Sequence, residues 1–294
     1  MTESEMTFGS EQVRVFVPGR SLGFIGRFKE LKQYKQFVID QTRRKLQIRY
    51  NRSLLGWAWS LIHPLAILLI YTLVFGTILA GERNIVPNPD GLESFGHFLF
   101  SALVIWFVFQ QVSTTAIGAF AESLMLRKRL YFPPTAPIIA GVVAGLVGNG
   151  VEIVVLLVAF LVVGSVSMTF LGLLFVVPLT AMFALGVGLV LAPLNARFRD
   201  VGHLYQVILR LAFFTTPIIY TADVVPETYA GVPLRRLLQL NPVSWMTEAS
   251  RSLTFSQQWP NGEAWLVMSS AAVLSLCIGW YVFHRLVDDV VEGF

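Results

Sequence analysis

Charge is scarce in this chain. Of 294 residues only 14% are Asp, Glu, Lys or Arg, where a soluble globular domain carries about 25%. A soluble fold of this length is therefore not expected. Cys277 is the lone cysteine; an internal disulfide or thiolate cluster is excluded, and the residue reads as a small buried hydrophobe within an apolar run. His63, His97, His203 and His284 are scattered without metal-ligand spacing. No paired carboxylates or nucleophile constellation point to catalysis, so neither catalytic nor metal-binding residues are expected. The Gly-x-x-x-x-Gly-Lys-Ser/Thr phosphate loop is missing, which leaves any energy supply to a partner or an ion gradient. No fixed-period repeat or low-complexity tract occurs. Residues 1–20 are polar, with Glu3, Glu5 and Glu11, so no cleavable leader is expected.

What fills the chain instead is apolar. Hydrophobic residues make up 55%, and the mean hydropathy is +0.65. The apolar residues gather into runs at roughly 61–80, 95–117, 138–163, 170–193, 204–220 and 264–284. Each approaches the ~20 residues an α-helix needs to cross a hydrocarbon core. Helix is the expected form, because a segment in lipid must satisfy its own backbone hydrogen bonds. The expected fold is thus all-α and membrane-embedded with six transmembrane helices.

The connections carry a sign. Nine Lys and Arg residues, from Arg27 to Arg52, precede the first run, and basic residues mark the cytoplasmic side. The net charge of +4 reads as this topology signal and not as a nucleic-acid surface. Residues 81–94 hold Glu82, Arg83, Asp90 and Glu93, suiting the outside. Arg127, Lys128 and Arg129 suit the inside, as do Arg197 and Arg199. The fifth connection, about 221–263, mixes Arg235, Arg236 and Arg251 with Asp223, Glu227, Glu248 and Glu263. Both termini are expected in the cytoplasm. Apolar residues and Pro226, Pro233 and Pro242 divide that fifth connection into short pieces, so two short re-entrant helices are expected there.

Three segments are expected: a cytoplasmic tail over 1–25, an amphipathic interface helix and turn over 26–56, and the transmembrane domain over 57–294. In the second, Phe28, Leu31, Tyr34, Val38, Thr42 and Leu46 recur at helical spacing while Lys29, Lys32, Gln36, Asp40 and Arg43 lie off the stripe. Such a helix is expected in the membrane interface, its apolar face in lipid; a plain topology anchor has the same pattern. Arg49 and Arg52 follow beside Ser53, Leu55 and Gly56. Guanidinium groups at headgroup depth suit phosphate oxygens, and Gly56 permits a turn into the first run. Glu152 and Arg210 fall inside apolar runs. A charge at a helix centre is unfavourable by roughly 2.5–3.5 kcal/mol, so both should face protein or water. Gly141, Gly145 and Gly148 lie along one side of the third run and read as a helix-packing face.

The run Arg49-Tyr50-x-Arg52-Ser53-x-Leu55-Gly56-x-x-Trp59-Ser60-x-x-x-Pro64-Leu65 resembles the membrane subunit of ABC-2 type ATP-driven exporters, in the branch that exports O-antigen, teichoic acid, capsule or galactan. Leu130-Tyr131-Phe132-Pro133-Pro134, Asn195-x-Arg197-x-Arg199-Asp200, Thr216-Pro217-Ile218-Ile219-Tyr220 and Asn241-Pro242 follow in the order of that family's elements. The resemblance implies a homodimer docked on two copies of an ATPase subunit, which binds ATP and magnesium, so that this chain has no cofactor of its own. It implies a polyprenyl-diphosphate-linked glycan as cargo, received at Arg49, Arg52, Ser53, Leu55 and Gly56, in the lipid of a bacterial inner membrane. It implies ATPase coupling through Arg127, Lys128, Arg129, Tyr131, Phe132 and Pro133, with Arg197, Arg199 and Asp200 as a second cytoplasmic turn. Aromatic rings stack on sugars, and Tyr71, Phe75, Phe213 and Phe214 on runs one and five are the expected channel lining. An ABC-2 exporter of a drug or simple lipid, an ion-coupled carrier and a non-transporting assembly protein remain open.

A protease-accessible reporter at Asn88 is expected on the extracytoplasmic side of the membrane; a reporter there that proved cytoplasmic would reverse this topology.

Overall fold

The structure, a computed structural model, describes residues 24–51, 58–74, 89–92, 94–127, 132–221, 224–228 and 233–292. Their regular secondary structure is helical throughout. In chain order it comprises α1 (Phe24–Gln33), α2 (Lys35–Asn51), α3 (Ala58–Tyr71), α4 (Phe95–Arg127), α5 (Ala136–Val162), a 3-10 turn (Met168–Gly172), α6 (Leu173–Arg197), α7 (Asp200–Thr215), α8 (Leu234–Leu240), α9 (Pro242–Thr254) and α10 (Gly262–Glu292).

Four stretches among the described residues are long and apolar enough to cross a membrane: Phe95–Leu124, Ala136–Val162, Met168–Arg197 and Gly262–Val287. They account for runs two, three, four and six. Run one is described as α3 and on to residue 74; its remainder lies outside the described residues. Run five is shorter than expected. It forms α7, whose 16 residues rise only about 24 Å, and the chain bends away at Thr216–Tyr220. Pro217 explains the stop: it has no N–H to continue the ladder and disfavours helix in the residue before it.

Helix ends are set locally. Pro133 and Pro134 separate α4 from α5. At the far end of α5, Gly164 takes φ +73°, a conformation costly to residues with a Cβ. Its N–H donates to Leu161 O at 3.1 Å and that of Ser165 to Phe160 O at 3.0 Å, closing the helix in a Schellman motif.

The core forms around α4. Of its apolar window 83% is buried, against 22%, 39% and 28% for the three other candidate spans. Those three therefore present broad apolar faces outward, such as Val154, Val158 and Leu161 on α5. Cys277 is among the outward residues of α10, not buried as its sequence setting implied. Helix α6 lies between α4 and α10, and the contacts are made backbone to backbone. A Cβ on Gly186 would lie 2.3 Å from Ser275 C, one on Gly279 2.3 Å from Gly186 O, and one on Gly188 2.4 Å from the Ala116 Cβ. Lipid supplies no hydrophobic drive between helices, so such close van der Waals approach is what holds them. The glycine face of α5 also meets α4: a Cβ on Gly141 would lie 2.9 Å from Thr115 Cγ2, and one on Gly145 3.1 Å from Gln111 Nε2.

The amphipathic segment is two helices broken at Tyr34. Its stripe is present, with Tyr34, Val38, Thr42 and Leu46 half-buried. The surface it meets is partly protein, where lipid was expected. Thr42 Oγ1 donates to Val38 O at 2.7 Å and reaches Ala140 O of α5 at 3.3 Å, and Phe37 stacks on Phe132 at 4.8 Å.

Gly186→Leu should destabilise the bundle by about 1–3 kcal/mol or more, because α10 must move away. Gly150→Ala, whose Cβ would meet nothing within 4 Å, should change stability by less than about 1 kcal/mol. Thermal unfolding of both variants in micelles checks the contrast.

Candidate functional site

The arginine-rich end of the bundle gathers α2, the α4–α5 connection and the α6–α7 turn. Arg49 lies in the last turn of α2, while Arg52, Ser53, Leu55 and Gly56 lie outside the described residues. Arg127 closes α4; Lys128, Arg129 and Tyr131 lie outside the described residues. Phe132 and Pro133 are buried, with Phe132 only 1% exposed. Phe132 is thus a wedge between the interface helix and the bundle through its stack on Phe37. Lys45 Nζ sits 3.7 Å from Glu122 Oε2. An ion pair this exposed adds ~0–1 kcal/mol, so it orients α2 against α4 more than it stabilises. Burial, followed by the Glu30 carboxylate, pushes the Tyr34 phenol above its ordinary pKa. The amphipathic segment and the basic loop are separate features in the sequence; Phe37, Phe132, Lys45 and Glu122 join them.

The second turn is shaped by Asn195. Its Oδ1 accepts from Gly202 N–H at 2.9 Å, and its Nδ2 donates to Ile117 O at 3.3 Å. A Cβ on Gly202 would lie 2.7 Å from that Oδ1, so glycine permits the approach. Arg197, Arg199 and Asp200 are all exposed, with the Arg197 guanidinium 5.4 Å from the centre of the Phe198 ring. Asp200 stands in the first turn of α7, where its charge complements the helix dipole.

Midway along the bundle the aromatic residues converge. Phe213 lies 6.0 Å from Tyr71, 5.6 Å from Trp106 and 5.4 Å from Phe214, ring centre to ring centre. The column continues inward through Phe109 to Phe183. Phe213 is half-buried, whereas Phe214 is 66% exposed; Phe75 lies outside the described residues. On α5, Asn149 Nδ2 donates to the half-buried Glu152 at 2.9 Å. Arg210 is exposed on α7. Among the described residues no three His, Cys, Asp or Glu side chains are grouped to hold a metal.

At the opposite end a residue that sequence reasoning treated as one loop charge among several is a hub. Arg251 of α9 is 2% exposed. Its Nη1 donates to Glu248 Oε2 at 2.6 Å, and its Nη2 to Pro217 O at 2.9 Å and Ile218 O at 2.8 Å. Its guanidinium lies 4.0 Å from the centre of the Phe98 ring. The bend that terminates α7 leaves backbone carbonyls outside any helix, and a planar five-donor group is suited to collect them. Asn241 works beside it: Oδ1 caps α9 by accepting from Val243 N–H at 3.0 Å, and Nδ2 donates to Thr216 Oγ1 at 3.1 Å. Thr216–Tyr220 and Asn241-Pro242, separate in the sequence, are therefore one structural unit. Ser250 Oγ, donating to Ser101 O at 2.6 Å, ties α9 to α4. The one available signal was an arginine at helical spacing from Glu248.

Four candidate spans among the described residues and a basic end mark a multi-pass membrane protein. The family model described as ABC-2 type transporter matches residues 40–255, and the chain belongs to that family. It is 26% identical to the O-antigen export system permease protein RfbA of Myxococcus xanthus, over 90% of this chain and 98% of that protein. It is 26% identical to the RfbA permease of Klebsiella pneumoniae, over 83% and 90%. It is 24% identical to the polysialic acid transport protein KpsM of Escherichia coli, over 82% and 90%.

Replacing Arg251 by Leu strands the Pro217 and Ile218 carbonyls, and should lower stability by about 2–4 kcal/mol. Arg251→Lys should recover only part, since a point charge cannot fork. The apparent Tm of each purified variant measures this, and an unchanged Tm in Arg251→Leu would remove the hub role.

Proposed function

We propose that the chain is the membrane-spanning half of an ATP-driven exporter that moves a polyprenyl-diphosphate-linked polysaccharide out of the cytoplasm across a bacterial inner membrane. The observation that carries this reading is the extent of similarity to permeases named for O-antigen export and polysialic acid transport, 90% and 82% of the chain respectively. In this reading two copies pair, each with six membrane crossings: the four long apolar helices, with α3 and α7 contributing the other two. Both termini are cytoplasmic, and two copies of a separate ATPase dock on the arginine-rich end. ATP and magnesium belong to that partner. Helices α8 and α9 form a re-entrant pair at the outer end.

The geometry supports a mechanism. Arg49 and Arg52 receive the diphosphate with Ser53, Leu55 and Gly56 beside them, because guanidinium donors match phosphate oxygens in paired hydrogen bonds. ATPase closure pushes on Arg127, Lys128, Arg129 and Tyr131. Phe132 and Pro133 transmit the push inward, and the Phe37–Phe132 stack and the Lys45–Glu122 pair carry it into α2, so that loading and energy supply move together. Arg197, Arg199 and Asp200 offer a second contact for the same partner. The glycan then passes along a path lined by Tyr71, Phe75, Phe213 and Phe214. Uphill transport by this chain reconstituted without an ATPase would contradict the reading.

Arg49→Ala combined with Arg52→Ala should impair glycan export strongly while the chain still assembles with its ATPase. Surface glycan and co-purification of the two subunits are the measurements; normal export by the double variant would reject the phosphate role.

A further inference from the structure

Helix α7 has three distinct faces. Tyr205 and Leu209 are buried against the bundle. Leu204, Val207, Ile208 and Leu211 are exposed and apolar. Arg199, His203, Gln206 and Arg210 are also exposed, and at 3.6 residues per turn they share an arc of about 60° separate from the apolar one. A helix with one apolar outward face and one polar outward face meets two solvents. The apolar face suits lipid, and the polar face suits water.

The depth of Arg210 follows from two contacts. Gly202 is bonded through Asn195 to Ile117, and Phe213 packs on Trp106. Eleven residues separate each pair along its own helix, so α7 runs antiparallel to α4 and Arg210 is level with Phe109. Phe109 stands at the centre of the Phe95–Leu124 span. An exposed guanidinium at that depth, one turn below Phe213 and Phe214, belongs on an aqueous surface facing something anionic.

We infer that Arg210 is an anion contact midway along the transport path, holding a phosphate group while the attached chain lies against the Phe213 and Phe214 rings. His203 and Gln206 form the polar track leading up to it from Arg199. The inference rests on the proposed export function for its cargo, the phosphate of a lipid carrier, and on charge complementarity for its chemistry. A neutral sugar needs hydroxyl partners and rings; a permanent cation at mid-depth is matched by a permanent anion.

The test uses the full chain with Cys277→Ser and single cysteines introduced by substitution, in phosphatidylcholine nanodiscs, labelled with a membrane-impermeant maleimide. Gln206→Cys and His203→Cys should label readily, and Leu204→Cys and Ile208→Cys at least about tenfold more slowly; equal rates would overturn the aqueous face. Farnesyl diphosphate should then slow labelling of Gln206→Cys about tenfold more than farnesol does. That protection should persist with Arg210→Lys and vanish with Arg210→Gln, each variant first shown to elute as the parent does. Protection by farnesol alone, or protection that survives Arg210→Gln, would overturn the anion contact. Discs containing phosphatidylglycerol without farnesyl diphosphate separate the sources: full protection there assigns the site to ordinary lipid headgroups and overturns the carrier assignment. Protection by farnesyl diphosphate in a chain that fails to support glycan export would leave the anion contact standing and reject the export function. Export without such protection would do the reverse.

Discussion

The bundle depends on how closely α6 approaches its neighbours. Gly186 and Gly279 let α6 and α10 meet backbone to backbone, and Gly188 seats the Ala116 methyl of α4 against α6. Ser275 adds a hydrogen bond across the first contact, its Oγ donating to Phe183 O at 2.9 Å. In water such glycines would be a liability, because they lower helix propensity. In lipid the backbone is held in helix by the lack of any other hydrogen-bonding partner, and the gain is dispersion contact over a long shared surface. The three-helix slab of α4, α6 and α10 is the rigid frame against which α2, α5, α7 and α9 are placed.

The two ends of that frame are built by different chemistry. At the arginine-rich end, connections are aromatic and electrostatic: the Phe37–Phe132 stack, the Lys45–Glu122 pair and the Asn195 bridge to Gly202 and Ile117. Several of these contacts are partly exposed and individually weak, so this end is the more easily rearranged of the two. At the other end Arg251 is buried, and Thr169 Oγ1 donates to Leu253 O at 2.6 Å in the same region. Asp90, Ser165 and Gln257 tie three further connections together there. A buried guanidinium bound to two backbone carbonyls resists displacement, since moving it strands every partner at once. The two ends thus differ in how firmly they are tied: exposed, separate contacts at one, a buried and multiply bonded arginine at the other.

Helix α7 concentrates the consequences. It is only 16 residues long, it ends at a proline bend held by Arg251 and Asn241, and its outward surface is split between apolar and polar arcs. The aromatic column from Tyr71 through Phe213 to Trp106 and Phe183 fixes its depth against α4. A helix so placed has one side on the frame and two outward sides of different chemistry, one apolar and one polar.

Hydropathy and charge alone determined that the chain is helical, membrane-embedded and basic at one end, because lipid admits few backbone solutions and positive loops are sorted by side. They also located the glycine face of α5 and the amphipathic stripe of α2, since both follow a helical period. Spacing did not reveal that the stripe meets α5, that Phe37 stacks on Phe132, that Cys277 faces outward, or that run five stops at Thr215. Those facts belong to tertiary structure, because a period names a face without naming what covers it. The hub at Arg251 lay beyond any local pattern: its value comes from carbonyls more than thirty residues away, freed by a proline and gathered only when the chain has folded.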